Sequence, residues 1–359
     1  MAKRDRELVT HLAAESPSCS HSTIDNSLRA LCPDCYPRDI TAVIEDIPKA
    51  LEQRLGRRCA QRRVRIEADQ ETRNCIDGIR LFGFCVSNAT IRTCLKLAGL
   101  NRRGYRNTLD VRVKHNFMIA PIARAFDEFT ILQLSDLHID MNPHMIDRLA
   151  NIVPGLSYDV CVMTGDYRGG SSGAFDAALH GMAKVCTLLK KPIYGVLGDH
   201  DTICMVPELE NMGMRMLLNE SVRITRGNRS IHLAGIDDAH RFHADDIGKL
   251  ASEVPDDEFS ILLSHTPEIY RQAADAHFKL LLSGHTHGGQ ICLPGGFPVT
   301  LQAILPRRMG AGPWRYEQMI GYTSAGTGSS VVPVRLNCPP EITLHRLRSL
   351  VSEGPIPKP

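Results

Sequence analysis

The 359-residue chain has no continuous apolar run approaching the ~20 residues that a membrane-spanning helix needs. Its opening residues, MAKRDRELVTHLAAESPS, lack the apolar core of a signal peptide. There is no disulfide ladder either. Of twelve cysteines, seven fall in the first 94 residues and five are scattered through later apolar segments, which reads as reduced thiols in a cytosolic protein. The formal charge is only +2, too little to draw nucleic acid to the molecule as a whole. Repeats and low-complexity tracts are also missing. These absences leave a soluble, cytoplasmic globular chain, with peripheral contact to a membrane or lipid surface still open. Oligomeric state is not legible.

What is present divides unevenly. Residues 1–128 carry a charge of +6 and the remainder −4, so the first third is a distinct, Arg-rich segment. Helices are expected there at 39–55 and 88–99. From Glu128 the pattern becomes regular. Apolar strands are expected at 129–135, 158–164, 192–197, 230–236, 259–264 and 279–283. They alternate with helical spacing near 143–153, 173–190, 244–254 and 267–277. The stretch 320–346 reads as antiparallel strands closing a sheet. This alternation predicts an α/β layered domain. The expected organisation is an Arg- and Cys-rich, mainly helical accessory region at 1–115, a catalytic domain at 116–350 and a tail at 351–359.

Polar groups follow the strands in order. The first strand ends in Ser135-Asp136-Leu137-His138, the second in Gly165-Asp166 and the third in Gly198-Asp199-His200-Asp201. Later strands end in Ser264-His265 and Gly284-His285-Thr286-His287. In layered α/β folds such ends converge on one rim. Residues two apart on an extended chain point the same way, which pairs Asp136 with His138 and His285 with His287. The resulting cluster of carboxylates and imidazoles repels itself without cations. Its ligand types suit Mn, Fe or Zn. Two such ions are the usual clamp for displacement at phosphorus, polarising phosphoryl oxygens and activating a water as hydroxide.

The ordered set DLH, GD, GDHD, SH and GHTH resembles the calcineurin-like metallophosphoesterase superfamily, whose pattern is DxH, GD, GNH(D/E), H, GHxH. The segments SDLHID, AGIDD, SHTPE, SGHTHGGQICLP and PPEITLHRL are similar to its bacterial YkuE/YaeI-like phosphodiesterase branch. The resemblance covers about residues 128–346 and implies a four-layer α/β/β/α sandwich. It implies a phosphoester substrate and two divalent metal ions. Asp136, His138 and His287 would hold the first ion and Asp166 would bridge. His265, His285 and Asp199 would hold the second. His200 would assist the leaving group, with Asp201 orienting it. The branch favours a phosphodiester. The alternatives are a UDP-2,3-diacylglucosamine-type pyrophosphatase, which predicts an apolar acyl groove near the metals, and a catalytically weakened metal-binding scaffold.

One position departs from the pattern. The family carries Asn where this chain has Asp199, so a neutral ligand is replaced by a charged one. Metal binding is expected to persist, and Asp199→Asn is expected to raise turnover. Other signals are weaker. Asp237 and Asp238 read as turn residues, with a place behind the site as the alternative. His240 and His243 are candidates to line substrate. Arg307, Arg308 and Arg315 flank Trp314 in a segment that overhangs the site or lies in solvent. Cys19, His21, Cys32 and Cys35 offer a zinc-knuckle reading against ordinary thiols. Residues 88–106 faintly suggest a helix-turn-helix, without a clear nucleic-acid signal.

Overall fold

Each central strand buries both faces, and its alternate residues enter different cores. Residues Thr130–Leu134 (β2) show this: Ile131 joins one apolar cluster, while Leu132 and Leu134 join another. Residues Val160–Met163 (β3) repeat it, sending Val160 and Val162 one way and Cys161 and Met163 the other. Strands buried on two faces must be covered twice, which requires layers.

The computed structural model describes residues 49–73, 78–81, 84–256 and 258–350. Two six-stranded sheets dominate it. The first contains Arg112–Ala120 (β1), β2, β3, Ile193–Gly195 (β4), Met214–Met216 (β5) and Glu341–Ser349 (β12), in the order β1-β12-β2-β3-β4-β5. The second contains Glu220–Arg226 (β6), Arg229–Gly235 (β7), Phe259–Leu263 (β8), Leu280–Ser283 (β9), Gly312–Tyr316 (β10) and Met319–Thr323 (β11). Its order is β10-β11-β9-β8-β7-β6. Met118, Ile131, Val160 and Val162 of the first sheet meet Leu233, Ile261, Leu263, Leu280 and Leu282 of the second in one shared core.

Helices cover the outer faces. Against the first sheet lie Lys49–Leu55 (α1), Arg57–Arg73 (α2), Met145–Ile152 (α5), Asp176–Leu188 (α6) and Val206–Asn211 (α7). Asn88–Leu97 (α3) and Asn101–Asn107 (α4) precede β1 in the chain. Against the second sheet lie Ile247–Glu253 (α8) and Tyr270–Asp275 (α9), through Leu250, Tyr270 and Ala273. The α/β/β/α layering is the expected architecture, and the expected helices appear with shorter bounds.

The stretch 320–346 differs from expectation. β11 runs antiparallel to β10 but parallel to β9. β12 runs antiparallel to β2 and parallel to β1. The long connection between β9 and β10 supplies the crossover that parallel pairing requires. The thiol cluster at Cys19, His21, Cys32 and Cys35 lies outside the described residues, as do the 351–359 tail and most of the expected 39–55 helix.

The Arg-rich first third enters the core. Leu51, Leu55, Ala60 and Val64 are buried with Leu132, Leu134 and Met163. Arg63 is wholly buried over the Phe242 ring. It donates to Glu67 Oε1 at 2.6 Å, Asp237 Oδ1 at 2.9 Å and the Asp201 carbonyl at 2.5 Å. Glu67 in turn accepts from the Ile203 amide at 2.9 Å and the Thr202 hydroxyl at 2.8 Å. Removing this one cation strands two buried carboxylates. Arg63→Met should therefore lower unfolding stability by about 3–5 kcal/mol, measured by chemical denaturation. A loss below about 1 kcal/mol would mean that the network contributes little.

Candidate active site

The strand ends of both sheets meet at one place, and the backbone there is bent into unusual conformations. Five of the seven candidate ligands, Asp136, His138, Asp166, His285 and His287, have positive φ between 38° and 69°. Non-glycine residues rarely take this region, and each costs on the order of 1 kcal/mol. Such strain concentrates where side-chain direction matters more than local comfort. Glycine makes the close approach possible: a Cβ on Gly284 would meet Ser135 Oγ at 1.9 Å and Asp136 Oδ2 at 2.3 Å.

The convergence predicted for the seven residues is what the structure contains. Asp136, His138, Asp166 and His287 present ligand atoms within 4.8 Å of one another, and Asp199, His265 and His285 form a second such group. Asp166 lies between them, its Oδ2 being 3.4 Å from His138 Nε2 and 3.5 Å from His265 Nε2. Within the groups, His138 Nε2 is 3.1 Å from His287 Nε2, and Asp199 Oδ1 is 3.1 Å from His265 Nε2 and 3.0 Å from His285 Nδ1.

Outer contacts aim the rings. His138 Nδ1 donates to the Arg168 carbonyl at 2.7 Å, and His265 Nδ1 donates to the Thr164 carbonyl at 2.8 Å. His285 Nε2 lies 3.2 Å from the Gln302 carbonyl. In each case the remaining nitrogen faces the cluster, where it can serve as a metal ligand once it holds no proton. Behind His287, the fully buried Arg335 lies 3.1 Å from Nδ1 and also holds the carbonyls of Ala325 and Gly328. Three carboxylates and four imidazoles packed this closely fit divalent cations and little else.

The two halves differ electrostatically. Burial, with help from the neighbouring His200, holds His138 well below the ordinary histidine range. Burial, the neighbouring His138 and Arg335 do the same to His287. In the other half burial opposes charge, but Asp199 lifts His285 to about 9. Asp166 and Asp199 lift His265 well above its usual value. Asp199 itself is pulled well below the carboxylate range by His285 and His265 despite its burial. Burial lifts the shared Asp166 to about 7 against the pull of His265 and His200.

Asp201 corrects the sequence reading. It was expected to orient His200, but the two side chains form no hydrogen bond or ion pair. The Asp201 carboxylate accepts from the backbone amides of Asp166, Tyr167 and Gly198, each at 2.8 Å. A carboxylate with several amides within reach is satisfied by them before the ring of the adjacent residue. His200 is held instead by the Gly169 carbonyl, 2.7 Å from Nδ1. It sits at the rim, with Asp166 and Asp199 nearby.

A cavity of roughly 400 Å³ opens from this rim. His200, His240, Arg241, His285 and His287 form its polar end, while Val86, Ile91, Leu95, Ile291, Val299 and Val331 form an apolar wall. His240 therefore lines the cavity, its ring 4.2 Å from that of His285. His243 does not, being turned to the Ala239 carbonyl. Asp238 is a turn residue that accepts from the amides of His240, Arg241 and Phe242. Asp237 pairs with Arg63. Arg307 stacks on Phe297 away from the cavity, and Trp314 is buried against Thr323. Arg63, Arg335 and the cavity wall from 86–95 were missed in the sequence. A single cation inside the apolar run VVPVRLN is the signal that marks Arg335 as buried and paired.

A family model described as Calcineurin-like phosphoesterase matches residues 129–289. The uncharacterized metallophosphoesterase YkoQ of Bacillus subtilis is 30% identical over 256 residues, which span 67% of this chain and 92% of YkoQ. The chain belongs to the calcineurin-like phosphoesterases. YkuE of Bacillus subtilis, also an uncharacterized metallophosphoesterase, is 30% identical over 66% of this chain and 85% of its own. YaeI of Escherichia coli, named a phosphodiesterase, is 28% identical over 61% of this chain and 82% of its own. These relatives set the phosphoesterase in the bacterial branch of its family. It is a metal-dependent phosphoric ester hydrolase, and the buried Asp/His cluster could hold divalent metal.

The electrostatic asymmetry predicts unequal metal loading. Ions must displace protons from Asp166, His265 and His285, whereas His138 and His287 are already neutral. Metal affinity of the Asp199 half should therefore climb as pH rises through about 7 to about 9. The Asp136 half should load with less proton release. Calorimetry of Mn²⁺ binding in buffers of different ionisation enthalpy reads the protons released per ion. Equal, pH-independent release from both steps would contradict this assignment.

Proposed function

We propose that the protein is a dinuclear phosphodiesterase in which Asp136, His138 and His287 hold one ion, Asp199, His265 and His285 hold the other, and Asp166 joins them. The observation that carries this reading is the pair of ligand groups beside the cavity with Asp166 between them, its Oδ2 3.4 Å from His138 Nε2 and 3.5 Å from His265 Nε2. When bound, the ions polarise the phosphoryl oxygens and activate a water for in-line attack. Manganese is the ion we favour, from the mixed imidazole and carboxylate donors.

The chain's own residues supply the rest. His200 has Nδ1 fixed by Gly169, so Nε2 is the atom available to protonate the departing oxygen. Asp201 acts through the backbone, holding Asp166 and Gly198 in place so that the shared ligand and the His200 loop keep their spacing. A cavity of roughly 400 Å³ has room for both ester groups of a diester. The name carried by YaeI favours a diester over a monoester. The free thiols among the described residues, Cys161, Cys186 and Cys204 included, support a reducing, cytosolic setting. Among the described residues, no helix is long and apolar enough to cross a membrane.

A second reading is favoured by the apolar wall. Val86, Ile91, Leu95, Ile291, Val299 and Val331 all line the cavity, and Ile91, Leu95, Ile291 and Val331 pack in one apolar cluster. The UDP-2,3-diacylglucosamine-type pyrophosphatase reading calls for such a wall beside the metals.

The deciding assay is hydrolysis of bis-p-nitrophenyl phosphate with Mn²⁺, with and without EDTA. Wild type should turn over only with metal, and His200→Ala should lose about 10²–10⁴-fold in kcat with metal content unchanged. Inactivity with Mn²⁺, Fe²⁺, Zn²⁺ and Mg²⁺ demonstrably bound would leave the metal-binding scaffold instead. For the second reading, Ile91→Asp should depress kcat/KM for acyl-bearing substrates while sparing the small chromogenic diester. Equal loss on both would remove it.

A further inference from the structure

Asp199 addresses two cations with one carboxylate. Its Oδ1 faces His265 and His285 at 3.1 and 3.0 Å, on the side of the candidate metal site. Its Oδ2 faces away, 3.4 Å from Arg241 Nη2. An amide at this position has only one oxygen. Turned to the metal side, it would present an NH₂ group to the guanidinium, donor against donor. The carboxylate is therefore what makes room for an arginine here.

Arg241 is placed with some care. It sits in the turn after β7, where the buried Asp238 carboxylate accepts from the amides of residues 240, 241 and 242 at 3.2, 2.7 and 2.8 Å. The backbone is thus fixed, and the side chain reaches along the cavity wall toward Asp199. The Arg241 side chain is 33% exposed. Among the described residues, Asp199 is its only side-chain partner. A guanidinium carries five donors in a planar fork matched to phosphate oxygens, and Arg241, which lines the cavity, has donors beyond the one that meets Asp199. The contact with Asp199 is long and partly solvated, so the fork can turn onto an incoming anion at little cost.

We propose that Arg241 is a substrate-binding residue that takes a non-bridging oxygen of the substrate phosphate, and that Asp199 is both a metal ligand and the anchor that positions it. This rests on the phosphoesterase reading of the cavity and deepens it. It also replaces the expectation from sequence about residue 199. The pair supplies, through the arginine, the positive charge and N–H donors that a carboxylate alone would withhold from a phosphate. Asp199→Asn then lowers turnover, because it releases Arg241.

The test reads binding rather than turnover. Orthophosphate is titrated into Mn²⁺-loaded protein by calorimetry, with metal content measured on the same samples. Arg241→Met should weaken orthophosphate binding about 10- to 100-fold with full metal content, the loss expected for one charge-assisted contact. Arg241→Lys should recover part of that loss, which also controls for folding. Asp199→Asn should weaken orthophosphate binding while retaining metal. The double variant Asp199→Asn, Arg241→Met should be no weaker than the worse single variant, since both act through one contact. Wild-type orthophosphate affinity in metal-loaded Arg241→Met, or strictly additive losses in the double variant, would overturn the proposal. So would a metal-loaded wild type that binds no orthophosphate. The phosphoesterase reading is judged separately, by ester turnover of the wild type. Turnover with Arg241-independent phosphate binding sinks only the role of Arg241. Arg241-dependent binding without turnover sinks only the hydrolytic reading.

Discussion

The carboxylate of Asp201 is the contact on which the site's geometry depends. It is fully buried and carries four backbone amides, from Asp166, Tyr167 and Arg168 after β3 and from Gly198 after β4. Two neighbouring strand ends are thereby fastened to one anion. Charge-assisted bonds of this kind are among the stronger ones available to a protein. The Asp201 carbonyl is taken by Arg63 from α2. A helix far earlier in the chain thus holds the loop that carries Asp199 and His200. The site is not only a meeting of strand ends in two sheets. It is also a set of loops pulled tight by buried ionic groups, and the contacts of Arg63 and Glu67 reach partners more than a hundred residues away.

Much of this was legible in order along the chain. The five motifs after apolar strands placed all seven candidate ligands, because strand ends in a layered fold share a rim and period-two spacing sets side-chain direction. The α/β layering followed from the alternation of apolar strands with amphipathic helices, and its four-layer form from the family resemblance. The role of Asp201 was not legible, because adjacency in sequence favours a ring neighbour while the fold brings amides from two loops. Arg63 and Arg335 look like surface charges in composition. Only packing reveals them as buried, since their carbonyl and carboxylate partners come from remote segments. The direction of β11 and β12 was missed for a related reason: sequence separation between apolar runs does not say which earlier strand each will pair with. The cavity wall was hidden for the same cause. Ile91 and Leu95 read as one face of an ordinary amphipathic helix, and nothing local tells which surface that face meets.

The charge distribution of the site is uneven, and the unevenness belongs to the fold. His138 and His287 are surrounded by other imidazoles and by Arg335, so burial wins and they stay neutral. His265 and His285 face Asp199 and Asp166, so ion pairing wins. The carboxylate at 199, rather than an amide, deepens this difference. It also couples the metal side of the site to the arginine on the cavity wall. One residue that departs from its family's pattern therefore reaches both the inner cluster and the substrate side.

The position of β12 has a consequence for how the molecule is made. This strand lies between β1 and β2, pairing with both along its length. Residues 112–120 and 130–134 are close in sequence, yet neither has its inner neighbour until residues 341–349 arrive. On the ribosome the first sheet thus remains split through most of synthesis, with two open edges facing a vacant lane. Asp136 and His138 follow directly from one of those edges. All seven candidate ligands lie before residue 288, so the chain has still to extend past them before the strand that flanks the Asp136 and His138 edge is made.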